Sequence, residues 1–416
     1  MSADARALLS LDEALARLEA GAAAHVLRQT ESVSTFDALG RVLAAEVLSA
    51  LDVPPEDNSS MDGYALHAAS VPVAGTVLPV SQRIPAGVPG QALRPGTAAR
   101  IFTGGQVPAG ADAIVMQEQC EPVPGEGLGS VSIGVVPQHG QWIRRRGEDV
   151  RLGSAVLPRG ARLTPQALGL AASVGAALLP VLRRPRVALF STGDELMTPG
   201  EPLRPGAIYN SNRYMLRGLL QAAGCEVADL GIVPDRLDAT RSALREAAAA
   251  NDLIVTSGGV SVGEEDHLKP AAQAEGRLEQ WQIAIKPGKP LAFGEIRRAD
   301  GSAALLLGLP GNPVSSFVTY LLCVSTVLRV LQGAPAALPQ GLGLRADFDW
   351  PRPDRRREFL RVQVNGGGGL DLYPNQSSGV LTSAVWADGL VDNPPGRAIA
   401  RGDTVKFLPL PELISR

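Results

Sequence analysis

The sequence predicts a multidomain α/β plus β protein, with helical and β-rich N-terminal domains, a central parallel α/β/α domain and a small C-terminal β domain. Three observations carry this. From Pro185 to Gly333, apolar strands alternate with helical segments, which is the pattern of a parallel sheet covered on both faces. Residues 70–145 are short β-branched runs cut by Pro and Gly, the texture of a small β-rich domain. The 416 residues also exceed what one domain needs, since a domain takes about 100–200.

Each element has its own signal. Ser10 and Glu13 make an S-x-x-E capping box ahead of Ala14, Leu15 and Leu18, and Gly21 stops the run, which predicts a helix over residues 11–20. Thr164 and Pro165, N-cap then N1, open a second helix that runs to Gly175. Between them lie strand-like runs at 71–80 and 114–116, so a β-rich domain is inserted in a helical one that resumes near Trp142. Further on, strands are predicted at 186–190, 227–233, 252–256 and 304–308, and helices at 212–223, 239–250 and 313–331. Short strands return at 358–364 and 404–408, the first followed by Asn365 and a run of four glycines. The domain limits that follow are 1–50 with 141–183, then 51–140, 184–333 and 334–416.

Composition narrows the function. A hydrophobic content of 45% with 19% charged residues is globular rather than disordered. A net charge of −3 argues against bulk nucleic-acid binding. Apolar runs are interrupted before about 18 residues, which argues against a membrane span. The first twenty residues place acids within their apolar pattern and read as an amphipathic helix, not a signal peptide. Cys120, Cys225 and Cys323 are far apart and lack a CxxC pair, as expected of reduced thiols in a cytoplasmic protein. Only four of the 39 basic residues are lysines, and three of those, Lys269, Lys286 and Lys289, fall within 269–289. A compact, mobile ammonium there suits an oxyanion that must be delivered and released, where a bidentate guanidinium would hold it too rigidly.

Three loops follow the strands of the predicted parallel sheet, where ligands of such sheets bind. The first, Ser257-Gly258-Gly259-Val260-Ser261, continues into Glu264, Glu265 and Asp266, so it offers amides, hydroxyls and carboxylates to an anion or a divalent cation. The second, Pro310-Gly311-Asn312-Pro313-Val314-Ser315, opens a helix whose free amides suit an anion. Between them Lys286-Pro287-Gly288-Lys289-Pro290 sets two ammonium groups three residues apart. Any one of these is more often an ordinary tight turn; three at one sheet edge point to a phosphorylated or oxyanion ligand. Asp194, Glu195, Asp235 and Asp266 fall at comparable places, where each alone reads as a cap or surface acid and together they suit Mg²⁺ or proton transfer. His267 is a weak further ligand candidate, and the arginines of 355–361 read as either a solvated strand edge or a phosphate clamp.

In order along the chain stand DNSSMDGYA (57–65), RIFTGGQVPAGADAIVMQE (100–118), GED (147–149), STGDEL (191–196), IYNSN (208–212), TSGGVSVGEED (256–266), KPGKP (286–290), GLPGNPVSS (308–316) and QSSG (376–379). This set closely resembles the molybdopterin molybdenumtransferases, that is, the bacterial MoeA proteins and the C-terminal domain of gephyrin. The resemblance implies a homodimer of elongated four-domain subunits whose α/β unit binds molybdopterin. It implies an enzyme that takes adenylylated molybdopterin and molybdate and, with Mg²⁺, yields molybdenum cofactor and AMP. The adenylyltransferase of the preceding step shares the α/β unit and is an implied partner. Carried over by motif, Asp62, Asp149, Glu195, Asp235 and Asp266 become the catalytic acids, with Glu195, Asp235 and Asp266 as metal ligands. Ser257, Gly258, Gly259, Ser261, Lys286, Lys289, Pro290, Asn312, Pro313, Ser315 and Ser378 are expected to bind substrate or molybdate, with Arg357 and Arg361 beside them. Two other classes share the fold: a scaffold that has lost turnover, and a nucleotidyltransferase. The acids at 62, 235 and 266 argue against the first, and the α/β unit being only about a third of the chain argues against the second.

Overall fold

The computed structural model describes residues 8–260, 267–334, 336 and 338–414. The chain forms two compact units, one of Ser32–Val181 and one that joins Met1–Glu31 to Leu182–Arg416.

In the unit of residues 32–181, a six-stranded sheet runs in the order Ala113–Met116, Gly63–Leu66, Ala98–Ile101, Thr76–Ile84, Ser130–Ile133, Cys120–Val123. Successive side chains of a strand point to opposite faces, so Tyr64 and Leu66 enter one buried cluster and Ala65 another. Residues 38–47 share a third apolar core with 150–181, across the intervening strands. The helix Pro165–Ser173 starts as predicted, with the Thr164 hydroxyl accepting from the Ala167 amide at 3.2 Å.

The larger unit begins with α1 (Leu11–Ala22). Its capping box is complete: the Glu13 amide donates to Ser10 Oγ at 3.2 Å, and the Ser10 amide donates to the Glu13 carboxylate at 2.9 Å. There follow β1 (Arg186–Thr192), α2 (Ser211–Ala222), β2 (Glu226–Val233), α3 (Leu237–Ala250), β3 (Leu253–Ser257), α4 (Leu268–Glu275) and β4 (Gly276–Gln282). Then come β5 (Ile285–Lys286), β6 (Pro290–Arg297), β7 (Ala303–Leu309) and a long helix, α5 (Pro313–Leu331). The sheet order is β2-β1-β3-β7-β6-β4. The first four strands are parallel, as the sequence pattern predicts, while β6 and β4 extend the sheet antiparallel. These two strands escape the sequence reading, and β4 shows why: it is an edge strand mixing polar with apolar residues and has no continuous apolar run.

Alternation along β1 sorts the two faces. Val187 and Leu189 enter the core shared with α1, α2 and α5, while Ala188 and Phe190 enter the core under α3 and α4. The buried stripe of α1 (Leu11, Ala14, Leu18, Ala22) lies in the first of these, so this helix packs in the α/β unit. By length and composition α5 is apolar enough to cross a membrane, yet about nine-tenths of it is buried, as in the core helix of a globular unit. It carries a π turn at Tyr320–Val324.

A second six-stranded sheet completes the unit. It uses β8 (Leu342–Arg345), β9 (Arg357–Val364), β10 (Leu370–Leu372), β11 (Gly389–Asn393) and β12 (Thr404–Pro409). Its order is β5-β9-β11-β12-β8, with β10 on β9. The short strand β5 lies parallel to β9 and sets Ile285 opposite Arg357 and Lys286 opposite Glu358. That register brings the Lys286 loop against the C-terminal sheet.

Candidate active site

Beyond the carboxyl ends of β1, β3 and β7 a cavity of about 660 Å³ opens, and each loop around it has a local reason for its shape. Gly258, at φ 89°, sits so close to the first loop that a Cβ would lie 2.6 Å from the Thr192 carbonyl oxygen. Its amide donates to the Leu309 carbonyl at 3.1 Å, so the three loops interlock through one glycine. Gly193, at φ 143°, takes a backbone conformation that favours glycine, with the Glu195 carboxylate folded back over it. Gly288 presses the KPGKP loop onto α5, where a Cβ would meet Thr319 Oγ1 at 2.5 Å. The Lys286–Pro287 peptide is cis.

Two further contacts complete the wall. Asn212, the second residue of α2, donates from Nδ2 to the Gly311 carbonyl at 2.7 Å and anchors the Pro310-Gly311-Asn312 turn. The Val314 amide donates to the Ser378 carbonyl at 3.0 Å, which seats the QSSG turn on the first turn of α5. Asn312 is the N-cap of α5 but makes no side-chain cap hydrogen bond.

Most of the expected residues meet here. Glu195, Asp235, Gly258, Gly259, Lys286, Lys289, Pro290, Asn312, Ser315 and Ser378 all line the cavity. Four expected residues are placed differently. Ser257 is buried beneath it, its hydroxyl paired with that of Ser191 at 2.9 Å, so it is a floor contact rather than a ligand donor. Pro313 is the first residue of α5 and lies behind the lining. Arg357 is held by a bidentate pair with Asp392 at 2.6 and 2.7 Å. Arg361 is buried, bonded to the Phe359 carbonyl at 3.0 Å and the Ser383 hydroxyl at 3.2 Å, and burial pushes its pKa down to about 10. The arginine that lines the cavity is Arg356. Arg357 opens β9 while Arg356 stands in the loop just before it, a distinction that a run of three arginines does not display.

Ser261, Glu264, Glu265 and Asp266 lie outside the described residues. Asp62 and Asp149 belong to the 32–181 unit. The Asp62 carboxylate accepts from the Thr103 amide at 2.8 Å and hydroxyl at 2.7 Å, and these bonds hold its pKa below the usual carboxylate range. Asp149 is exposed. Asp235 does not cap α3, whose N-cap is Arg236 without a side-chain bond; its amide donates to Asp194 Oδ1 at 3.3 Å. His267 precedes α4 and is not among the lining residues.

The charges are distributed unevenly. Lys286 Nζ lies 3.2 Å from Glu358 Oε1 and 3.5 Å from Asp354 Oδ2. Arg356 grips Asp354 through Nε at 3.0 Å and Nη2 at 2.8 Å, which holds that carboxyl well below the usual range. Lys289 is exposed and has no ion pair among the described residues. Beneath the loops, Asn212 Oδ1, Thr256 Oγ1 and Thr319 Oγ1 are buried without a hydrogen-bond partner among the described residues, an expensive arrangement that is usual only near functional surfaces. The sequence reading missed Arg356, Asn212, Gln376 and Ser377. Asn212 stands in the IYNSN run, Gln376 and Ser377 in the QSSG run, and Arg356 in the arginine run of 355–361.

Residues 9–175 match the MoeA N-terminal region (domain I and II), 188–330 a probable molybdopterin binding domain, and 344–410 the MoeA C-terminal region (domain IV). A molybdopterin molybdenumtransferase of Haemophilus influenzae is 43% identical over 306 residues, which is 73% of this chain and 74% of that protein. One from Nostoc is 35% identical over 92% of this chain and 89% of its own length, and one from Bacillus subtilis 34% over 97% and 94%. The crystal structure of the molybdopterin biosynthesis moeA protein from Pyrococcus horikoshii OT3 superposes with a TM-score of 0.82 at 28% identity, covering 96% of this chain and 99% of that one. With the sheet-edge cavity, the interlocked glycine loops and these matches along its length, the chain belongs to the molybdopterin molybdenumtransferases, the MoeA family.

Proposed function

We propose that this chain inserts molybdate into adenylylated molybdopterin in molybdenum cofactor biosynthesis, with hydrolysis of the phosphoanhydride and release of AMP. The observation that carries this reading is a single cavity lined by Lys286, Lys289 and Arg356 together with Glu195 and Asp235. The sheet order separates the two groups. The carboxylates follow β1 and β2 on one side of β3, and the lysines precede β6 on the other.

The cations and the hydroxyls of Ser315 and Ser378 suit a tetrahedral dianion such as molybdate, with Lys289 as the first attraction because no partner among the described residues offsets it. The Gly258 and Gly259 turn and the start of α5 bring backbone close to the pterin phosphate end. Glu195 and Asp235 supply hard oxygen donors of the kind that bind Mg²⁺, which keeps several waters and takes only one or two carboxylates beside substrate phosphates. Bound there, Mg²⁺ would act as a Lewis acid on the phosphoanhydride. Among the described lining residues there is no His or Cys, which supports reading the hydroxyls of Ser315 and Ser378 as hydrogen-bond donors, with water as the attacking group.

The same reading includes a homodimer, a cytoplasmic setting and hand-over from the adenylyltransferase that supplies the adenylylated substrate. The test is incubation of the purified protein with adenylylated molybdopterin, Mg²⁺ and molybdate, followed by assay of AMP and active cofactor. The expected result is formation of both, abolished in Glu195→Ala with Asp235→Ala and retained in Lys269→Ala. Absence of both products with the unaltered chain overturns the proposal.

A further inference from the structure

Two of the three cations lining the cavity are backed by carboxylates, and one of those carboxylates is wholly buried. Glu358 has no exposed surface. Its carboxylate accepts three hydrogen bonds, from Lys286 Nζ at 3.2 Å, Trp350 Nε1 at 2.8 Å and the Asp354 amide at 3.1 Å. The β5–β9 register sets Glu358 opposite Lys286, so the backbone fixes the pair before any side chain adjusts. A buried carboxylate costs desolvation that its pairing with a partly exposed ammonium barely offsets, so stability alone is a weak reason for this one.

We infer that Glu358 is a positioning residue that makes the oxyanion site of the proposed reaction selective for size, by tethering the Lys286 ammonium to the cavity wall. A lysine ammonium on its four-carbon stem ordinarily follows an anion of any radius. Held between Glu358 and Asp354, the Lys286 ammonium stays where it is. Molybdate and sulfate are both tetrahedral dianions, and sulfate is the smaller. A fixed cation contacts the larger ion and leaves the smaller one short on one side. Lys289, exposed and without such a tether among the described residues, attracts both alike. The tether also offsets one positive charge, so that an oxyanion bound there can still leave.

This inference rests on the proposed function, and the two can fail separately. The experiment is calorimetric titration of the full chain with sodium molybdate and, separately, sodium sulfate, for the unaltered protein, Glu358→Gln and Asp354→Asn. A charge-assisted hydrogen bond is worth about tenfold or more in an equilibrium constant, which sets the expected scale. In Glu358→Gln the preference for molybdate should fall about tenfold, mainly because sulfate binds more tightly. A packing defect without a positioning role would weaken both anions together and leave the ratio unchanged, which overturns the inference. Should Glu358→Gln fail to fold by near-ultraviolet circular dichroism, Asp354→Asn decides. Asp354 is partly exposed, with 20% of its side chain accessible, and it holds the same ammonium. Because Asp354 also holds Arg356, a lowered ratio in that variant that Arg356→Gln does not reproduce supports the tether, and an unchanged ratio, or an equal fall in Arg356→Gln, overturns it. If the unaltered protein turns over substrate and prefers molybdate, yet neither variant changes the preference, only this inference falls. If the unaltered protein binds neither anion and releases no AMP, the proposed function falls and takes the inference with it.

Discussion

At the scale of single residues, the cavity shows that equal charges in one loop have unequal surroundings. Lys286 and Lys289 are three apart in KPGKP and indistinguishable by type, yet one is bound to two carboxylates and the other is exposed. The mobile ammonium expected from the lysine clustering is therefore Lys289, and Lys286 is a fixed one. Their arginine variants should differ in kind. In Lys286→Arg the wider guanidinium cannot repeat the 3.2 Å contact with the buried carboxylate, so kcat should hold while sulfate competes with molybdate about tenfold more strongly, the scale of one charge-assisted bond. Lys289→Arg keeps the charge and adds a fork that holds the anion, so kcat should fall while KM for molybdate stays level or drops. Steady-state kinetics at varied molybdate, with and without sulfate, separates the two, and identical profiles would contradict the assignment. Arg356 and Arg357 teach the same lesson. They are adjacent in a run of three, yet Arg356, in the loop before β9, lines the cavity and Arg357, the first residue of β9, pairs with Asp392.

At the scale of elements, the site is built where loops brace one another. The Pro310-Gly311-Asn312 turn is held from outside its own segment by Asn212 of α2, and the QSSG turn by the amide of Val314 in α5. Asn212 is buried, at 7% exposure, so Asn212→Ala removes its bond to Gly311 and leaves that carbonyl poorly satisfied. The expected cost is about 1–2 kcal/mol in thermal or denaturant unfolding. A larger proportional loss in kcat/KM is also expected, because the turn that presents Asn312 and the start of α5 is loosened. Asn212→Asp retains the acceptor but has no donor for Gly311 and should behave like the alanine variant; recovery of activity in it would exclude the bracing role. Much of this scale was legible beforehand. The capping box at Ser10 and Glu13, the Thr164-Pro165 start and four of the strands of the mixed sheet are local patterns, and each appears where its pattern stands. The antiparallel strands β4 and β6 were not legible, since pairing with a neighbour rather than an apolar run of their own makes them strands.

At the scale of the whole molecule, the proposed homodimer is the property most open to a direct check. A sedimentation measurement should give twice the 43.3 kDa chain mass, and a single species at the chain mass would remove the dimer from the proposal. The sequence alone determines whatever depends on neighbours in the chain. That covers helix caps, apolar periodicity, glycine-rich turns after strands, and the run of motifs that marks the family. Folding decided the rest, because it depends on residues far apart in sequence. Where β9 starts leaves Arg356 in the loop that reaches the cavity and Arg357 in the strand, and the β5–β9 register sets Glu358 behind Lys286 across 72 positions of chain. Burial of α1's stripe places it with the α/β core. Strand register and burial are properties of paired surfaces, and no single segment contains them.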